Sequence, residues 1–434
     1  MELLIYGIVL FGFAYSWLSD KNSWKELADE LDLVDTSSVF GNKKLQGHLR
    51  GFDVSVEAVS ENNRIKKILL KVADVNRTFT LGRDSAFQRM IKPDIETGDQ
   101  LFDERTRIEG DEDWALALLG HDARRLLEMM VTGWDGELQG GTLSATSKEF
   151  RDVPSTLDTL LDIAHLLQLP PYAELPKLLM ERACHDPSYT VRFQVFRRLT
   201  RVPAFKEEAA TAAEILIESS SALLKLEAGR HLLKSSPEQS DRAAQELIAL
   251  ATLKSADSSI RRSAIEALAD SDHQASAVPA MGRILEGPDA TLVRAAAIEG
   301  LVRSGAKAEL LNLEVDDETE AEVLARGLGR FDATVQPKLL QLLSHPGDGV
   351  RLLAVRSLDQ VGDIQAVGAL RKLAGQDRLF KSAVAREAER VIENIKSRSA
   401  GSQQGELSIV TVAPLEGAVS PVGDSEAGGE VSLS

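Results

Sequence analysis

Residues 260 to 268 read IRRSAIEAL and residues 293 to 301 read VRAAAIEGL. With the basic residue of each stretch as position n, apolar residues fall at n−1, n+3 and n+7, and an apolar or small residue at n+4. Ile260, Ala264, Ile265 and Leu268 surround Arg261 in this way, and Val293, Ala297, Ile298 and Leu301 surround Arg294. The same frame fits Val191, Val195, Phe196 and Leu199 around Arg192, and Leu224, Ala228, Gly229 and Leu232 around Lys225. It recurs with Val350, Ala354, Val355 and Leu358 around Arg351, and with Phe380, Val384, Ala385 and Ala388 around Lys381. A degenerate copy around Glu322 (Ala321, Ala325, Gly329) fills the gap, giving spacings of 33, 36, 33, 28, 29 and 30 residues. Apolar positions so spaced make one stripe along a helix, and a period of this length marks a solenoid.

A second apolar segment precedes each copy, from AELPKLLMERA at 173 to AVGALRKLA at 366. Each unit is therefore expected to be a helical hairpin that buries its face only by stacking on neighbours. Aspartates at 186, 257, 289, 348 and 377 stand where the second helix should begin, the place where a carboxylate caps free N–H groups and complements the helix dipole. The repeated cation has two readings. Its stem can pack over the repeat junction while its head pairs with a carboxylate of the adjoining turn, so that Arg192, Lys225, Arg261, Arg294, Arg351 and Lys381 form a structural ladder. Alternatively the row faces an acidic ligand. Identical recurrence favours the ladder, because stacking geometry repeats and a ligand's features do not. The variable neighbours Arg198, Arg262 and Arg356 are the candidates for a partner-binding face.

The order of Asp, then hydrophobic-Arg, then Ala, then Leu resembles HEAT repeats, especially the short bacterial kind first noted in phycobilin lyases. The match covers roughly residues 170 to 397 in about seven units. The resemblance implies an α-solenoid presenting a curved surface to a partner; it does not imply lyase activity. TLDTLLDIAHLLQ at 156 to 168 is the candidate N-terminal cap that a solenoid needs.

Upstream, the periodicity changes. Phe52, Val54, Val56 and Ala58 alternate with polar residues, Ile68, Leu70 and Val72 repeat the pattern, and RTFTL at 77 to 81 is a third candidate strand. WKELADELDL, WALALLG and DARRLLEMMV have helical spacing. An α+β domain over residues 24–150 with a small antiparallel sheet is expected, ahead of an all-α array over 152–397. Its stretch TGDQLFDERTRIEGDEDW at 97 to 114 is similar to a segment of uncharacterised bacterial domains that follow a membrane anchor, a resemblance that carries no known activity.

The ends differ in character. Leu3 to Leu18 is a run of sixteen residues without a charge, about 24 Å as a helix and slightly short of a bilayer core. It reads as a membrane anchor over residues 1–19; a signal peptide and a docked core helix are the rival readings. Lys21 and Lys25 follow it, which places the rest of the chain in the cytoplasm, on a single-pass inner-membrane protein. Residues 398–434 have the composition of a disordered tail. GELS, GAVS and GEVS recur there at 405, 417 and 429, either as weak multivalent docking segments or as low-complexity drift.

The net charge of −17 argues against a nucleic-acid partner. A single cysteine, Cys184, excludes an intramolecular disulfide and a thiolate-rich metal site. None of the seven histidines is followed by Glu, so the His-Glu pairs of di-iron HEAT-repeat hydroxylases are absent, as are the common nucleotide, zinc and serine-hydrolase signatures. Cys184-His185-Asp186 invites a catalytic reading, yet consecutive residues point in different directions; a buried thiol and a capping Asp are expected instead. The nine acids between Asp94 and Asp113 lack an EF-hand's alternating ligands, and a solvated face with 111 to 113 capping the next helix is expected there. The sequence thus predicts no catalytic, cofactor or metal residue, and a membrane-anchored scaffold that binds a protein partner through its repeats. An enzyme or enzyme accessory, its α+β domain acting on what the repeats hold, is the alternative.

Overall fold

The alternating stretches at 52–58 and 68–72 become the central strands of a sheet with one buried face. The computed structural model describes residues 22–38, 43–61, 64–83, 94–375 and 382–406, which divide into a unit ending at Ala296 and a second beginning at Ala297. In the first unit the strands are β1 (Val34–Asp35), β2 (Lys44–Leu49), β3 (Phe52–Glu61), β4 (Arg64–Val72), β5 (Phe79–Arg83), β6 (Thr106–Gly110), β7 (Glu137–Gln139) and β8 (Thr142–Ser147). They pair antiparallel throughout in the order β1-β2-β3-β4-β8-β7-β5-β6. Val54 faces Val72, Val56 faces Leu70 and Ala58 faces Ile68; Leu70 then faces Ala145, and Leu81 faces both Leu138 and Ile108. All of these are buried, so the register lays one apolar face across the sheet. On the opposite face Glu57 lies 3.0 Å from Lys44 and 3.6 Å from Lys71, and its hydrogen bond from Lys44 holds its carboxyl below the usual carboxylate range.

Helices α1 (residues 22–31), α2 (Gln100–Arg105), α3 (Glu112–Leu118), α4 (His121–Gly133) and α5 (Val153–Leu166) complete the α+β part. Helix α5, expected to cap the repeats, packs instead on β4 and β8. His165 meets the Phe52 ring edge-on at 5.0 Å, and Arg50 reaches Asp162 at 2.9 Å and Asp158 at 3.1 Å. Its apolar stripe is the same for either neighbour, which is why periodicity alone assigned it elsewhere.

Antiparallel pairs follow in the first unit: α6 (Leu175–His185) with α7 (Tyr189–Arg201), α8 (Lys206–Leu216) with α9 (Ala222–Ser235), and α10 (Ser240–Thr252) with α11 (Ser258–Ala269). Helix α12 (Gln274–Glu286) packs on α10 and α11, and α13 (Thr291–Arg303) follows it. Second helices contact second helices (α7 with α9, α9 with α11) and first helices contact first helices (α6 with α8, α10 with α12), the HEAT-like arrangement that the period implies. The second unit repeats this with α14 (Lys307–Asn312), α15 (Glu318–Leu328), α16 (Gln336–Leu342), α17 (Asp348–Val361), α18 (Ala366–Ala374) and α19 (Ala383–Glu406), where α15 packs on α17 and α17 on α19. The apolar stripes are buried in both units, among them Val195, Ala228, Ala264, Ala297, Ala325 and Ala354 at 0% exposure.

Three further expectations change. Of the aspartates read as caps, Asp257 caps α11 by accepting from the Ser259 N–H, but Ser188 caps α7 in place of Asp186, Asp348 lies inside α17, and Asp377 is outside the described residues. Helix α19 continues through Glu406, past the expected end of the array at 397. The remaining tail, with GAVS and GEVS, lies outside the described residues. The expected single-pass inner-membrane placement is overturned: among the described residues no helix is long and apolar enough to cross a membrane. Leu3 to Leu18, on which that placement rested, lie outside the described residues.

Candidate functional site

Two bonds, one between backbone groups and one to a carboxylate, hold the acidic stretch that opens the site along the sheet's last strand. The Ile95 N–H donates to the Ile108 carbonyl at 3.0 Å, and the Ile108 N–H donates to the Asp94 carboxylate at 2.6 Å. The chain then turns at Gly98, whose φ of +89° suits glycine. The Asp103 carboxylate fixes this turn by accepting from Thr97 N–H (3.1 Å), Thr97 Oγ1 (2.8 Å) and Gly98 N–H (2.9 Å). Burial pushes the Asp103 pKa up, against the pull of those bonds. A Cβ on Gly98 would sit 2.6 Å from the Thr190 carbonyl and 2.9 Å from the Gln194 side chain, so glycine lets the acidic turn press directly onto α7.

Three arginines fasten this junction. Arg124 is buried on α4 and forks onto Asp186, Nη1 at 3.0 Å and Nη2 at 3.1 Å, while its Nε reaches Asp99 at 3.0 Å and its Nη1 also reaches the Leu119 carbonyl at 2.8 Å. The side chain of Arg124 is 2% exposed and that of Asp186 0%, so each charge depends on the other to remain inside. Arg182 lies against Gly120, where a Cβ would meet its guanidinium at 2.2 Å, and donates to the Ala117 carbonyl at 3.2 Å. Arg198 pairs with Asp113 and, at 2.7 Å, with Glu112; the bond to Asp113 pushes its pKa further up. The α+β part and the first hairpins consequently share one hydrophobic core, continuous from Trp24 to Ala243.

Between the acidic turn and α7 a cleft of about 780 Å³ remains, with Asp94, Glu96, Asp103 and Glu104 on one wall and Thr190, Phe193, Gln194 and Leu223 on the other. A neighbouring hollow of about 570 Å³ shares Asp94, Glu96 and Gln194 and adds Glu109 and Glu112. Arg197 lies 5.4 Å from the centre of the Phe193 ring. Sequence reading singled out the acids but not Thr190, Phe193, Gln194 or Leu223. The signal available was Phe193, a large apolar residue that lies off the repeat's stripe of 191, 195, 196 and 199.

The repeated cations sit near helix ends. Arg192 reaches the Cys184 carbonyl at 3.5 Å, Arg261 the Ala251 carbonyl at 2.8 Å, and Arg294 those of Leu285 at 2.5 Å and Gly287 at 3.0 Å. Carbonyl ends of helices attract cations. Arg261 also pairs with Asp289 and Lys225 with Glu246, each at 2.6 Å, while Arg351 pairs with Asp348 in its own turn. Lys381 lies outside the described residues. The three candidate partner-binding arginines are engaged within the chain: Arg198 as above, Arg262 with Glu266 at 2.7 Å, and Arg356 with Glu387 at 3.2 Å.

Cys184 is buried and burial raises its pKa, Asp186 is committed to Arg124, and His185 is exposed between them; the three residues do not converge. Among the acids, Asp111 caps α3 through the N–H groups of Asp113 and Trp114. Among the described residues no cluster of three or more His, Cys, Asp or Glu is arranged to hold a metal ion.

No family model and no curated protein match the chain. A solved structure, the complex of CpcE and CpcF of phycocyanin lyase from Nostoc sp. PCC7120, is similar at 18% identity and a TM-score of 0.29, over 52% of this chain and 95% of that one. So low a TM-score transfers neither site nor activity.

Proposed function

We propose that the chain is a protein-binding scaffold whose partner docks at the cleft between the acidic turn and α7. The carrying observation is that this cleft joins an acidic wall to an apolar one on a frame tied down by arginines, Arg124 among them buried. Rigid frames that present mixed apolar and polar surface are what recognition uses, since little is lost to ordering on binding. Stacked helical pairs supply the rest of an extended surface. The same cleft favours a second reading, an enzyme accessory that presents a substrate, because several carboxylates converge there. Asp103 and Asp94 argue against using them as acid or base, since both already accept bonds that shape the turn.

Photo-cross-linking in cells tests the scaffold. Benzoylphenylalanine in place of Gln194 is expected to give one discrete protein adduct that disappears with Glu96→Lys, while the exposed strand position Asp53 gives none. No adduct from position 194, or the same adduct from both positions, removes the proposal.

A further inference from the structure

We infer that the face shared by α7 and α9 is a second docking surface, which binds a short acidic segment of a protein partner. The repeat register puts Arg197 of α7 and Arg230 of α9 in equivalent places, and does the same for Arg201 and Lys234. The two helices are packed neighbours, and the edge-on meeting of Phe196 with His231 at 6.0 Å sets these levels side by side. Residues four apart lie about 6 Å apart along a helix, and packed helices are about 8–10 Å apart, so the four cations share one small surface. Arg201 and Lys234 are exposed, Arg197 and Arg230 half-buried. Among the described residues Arg197, Arg201 and Lys234 are in no ion pair, and Arg230 has only Glu227, at 3.6 Å. The Phe193 ring beside Arg197 leaves that charge in place. The acids of the candidate cleft meet a different side of α7, that of Thr190, Gln194 and Arg198, about 100° round the helix from Arg197. Stacking does not demand the cations, because the equivalent positions of the next second helix, α11, are Glu266 and Asp270. Like charges at this spacing on a helix repel one another, and carboxylates from a partner relieve that repulsion. A bounded patch on a chain of net charge −17 fits a short run of Asp or Glu, whereas a long polyanion meets repulsion from the rest of the surface.

The test uses the full chain and a fluorescein-labelled synthetic peptide of alternating Glu and Ser, read by fluorescence anisotropy. Binding that weakens as salt rises is expected, because the attraction is between partly exposed charges. Arg201→Ser with Lys234→Ser is expected to lower affinity on the order of tenfold, without lowering the melting temperature. If that variant unfolds, Lys234→Ser alone should lower affinity about threefold. Lys148→Ser with Lys177→Ser removes as much exposed charge elsewhere on the first unit and is expected to leave binding unchanged. No binding at low salt, binding unchanged by loss of the patch cations, or an equal loss in the Lys148 and Lys177 variant overturns the inference. An oligothymidylate of the same charge that binds as tightly and loses as much assigns the patch to nucleic acid and overturns it. A chain ending at Glu406 that binds much more tightly assigns the patch to the chain's own tail, whose residues 407–434 hold acids and no Lys or Arg, and also overturns it. Gln194 lies on the other side of α7, so its adduct and peptide binding fail independently.

Discussion

Arg124 and Asp186 lie 62 positions apart in the chain and share a buried fork. Removing Arg124 leaves Asp186 charged and dry, and removing Asp186 leaves the buried Arg124 with its Nε bond to Asp99 and no carboxylate at its Nη1 and Nη2 fork. Asp186→Ala should destabilise the first unit by about 3–5 kcal/mol, seen as a lower urea midpoint, and Arg124→Met in the same chain should recover part of that loss. Recovery absent from the double variant would mean that the pair is not coupled. Asp186 shows what sequence could not supply: it was read as the cap of α7, a role Ser188 takes, and its partner is on a distant helix that nothing local announces. Asp289 offers a pH test. The hydrogen bond from Arg261 lowers its pKa in the folded chain, so the unfolded chain binds the proton more readily. Its stabilising contribution is present above about pH 4 and is lost as pH falls through the lower folded value. Asp289→Asn should therefore show a shallower loss of stability in acid, measured by denaturant midpoints between about pH 5 and pH 2. An unchanged acid slope would contradict this.

At the scale of elements, the alternating strands β3 and β4 and the repeat helices were legible, because each is a run whose period reports its buried face. Strands β6, β7 and β8 were not. Strand β6 is embedded in the acidic run, and β8 (TLSATS) turns inward only Leu143, Ala145 and Ser147, a weak apolar signal. Their hairpin depends on Gly140 and Gly141, at φ +58° and +83°, the geometry of a two-residue turn that matches strand twist. Gly141 is also pressed against Arg77, 2.6 Å from where a Cβ would stand. Gly141→Ala should cost about 1–2 kcal/mol from the left-handed backbone alone, read as a lower melting temperature. Gly140, whose Cβ would meet nothing within 4 Å, should respond less. Helix α5 is the instructive error: an amphipathic period says that a face is buried but not by what.

For the whole molecule, the sequence suggested a boundary between the α+β part and the repeats near residue 151, whereas the shared core runs on to Ala243 and the first unit ends at Ala296. A fragment of residues 22–168 should lack a cooperative thermal transition, having lost the helices that cover Trp114 to Leu119, while residues 22–296 should keep one. Cooperative melting of the shorter fragment would contradict the shared core. The apolar half of the candidate cleft was hidden for the same reason, since it exists only where the acidic turn meets α7. Arg124 gives this a further meaning. It holds Asp99, which follows the glycine of the acidic turn, and Asp186, which precedes α7, so one buried side chain joins the segments that carry the two walls. The jaw is thus gauged by the reach of one guanidinium, and lysine, with a single nitrogen to offer, cannot set the same measure. The α+β part and the hairpins that share its core as far as Ala243 are therefore expected to be inherited together.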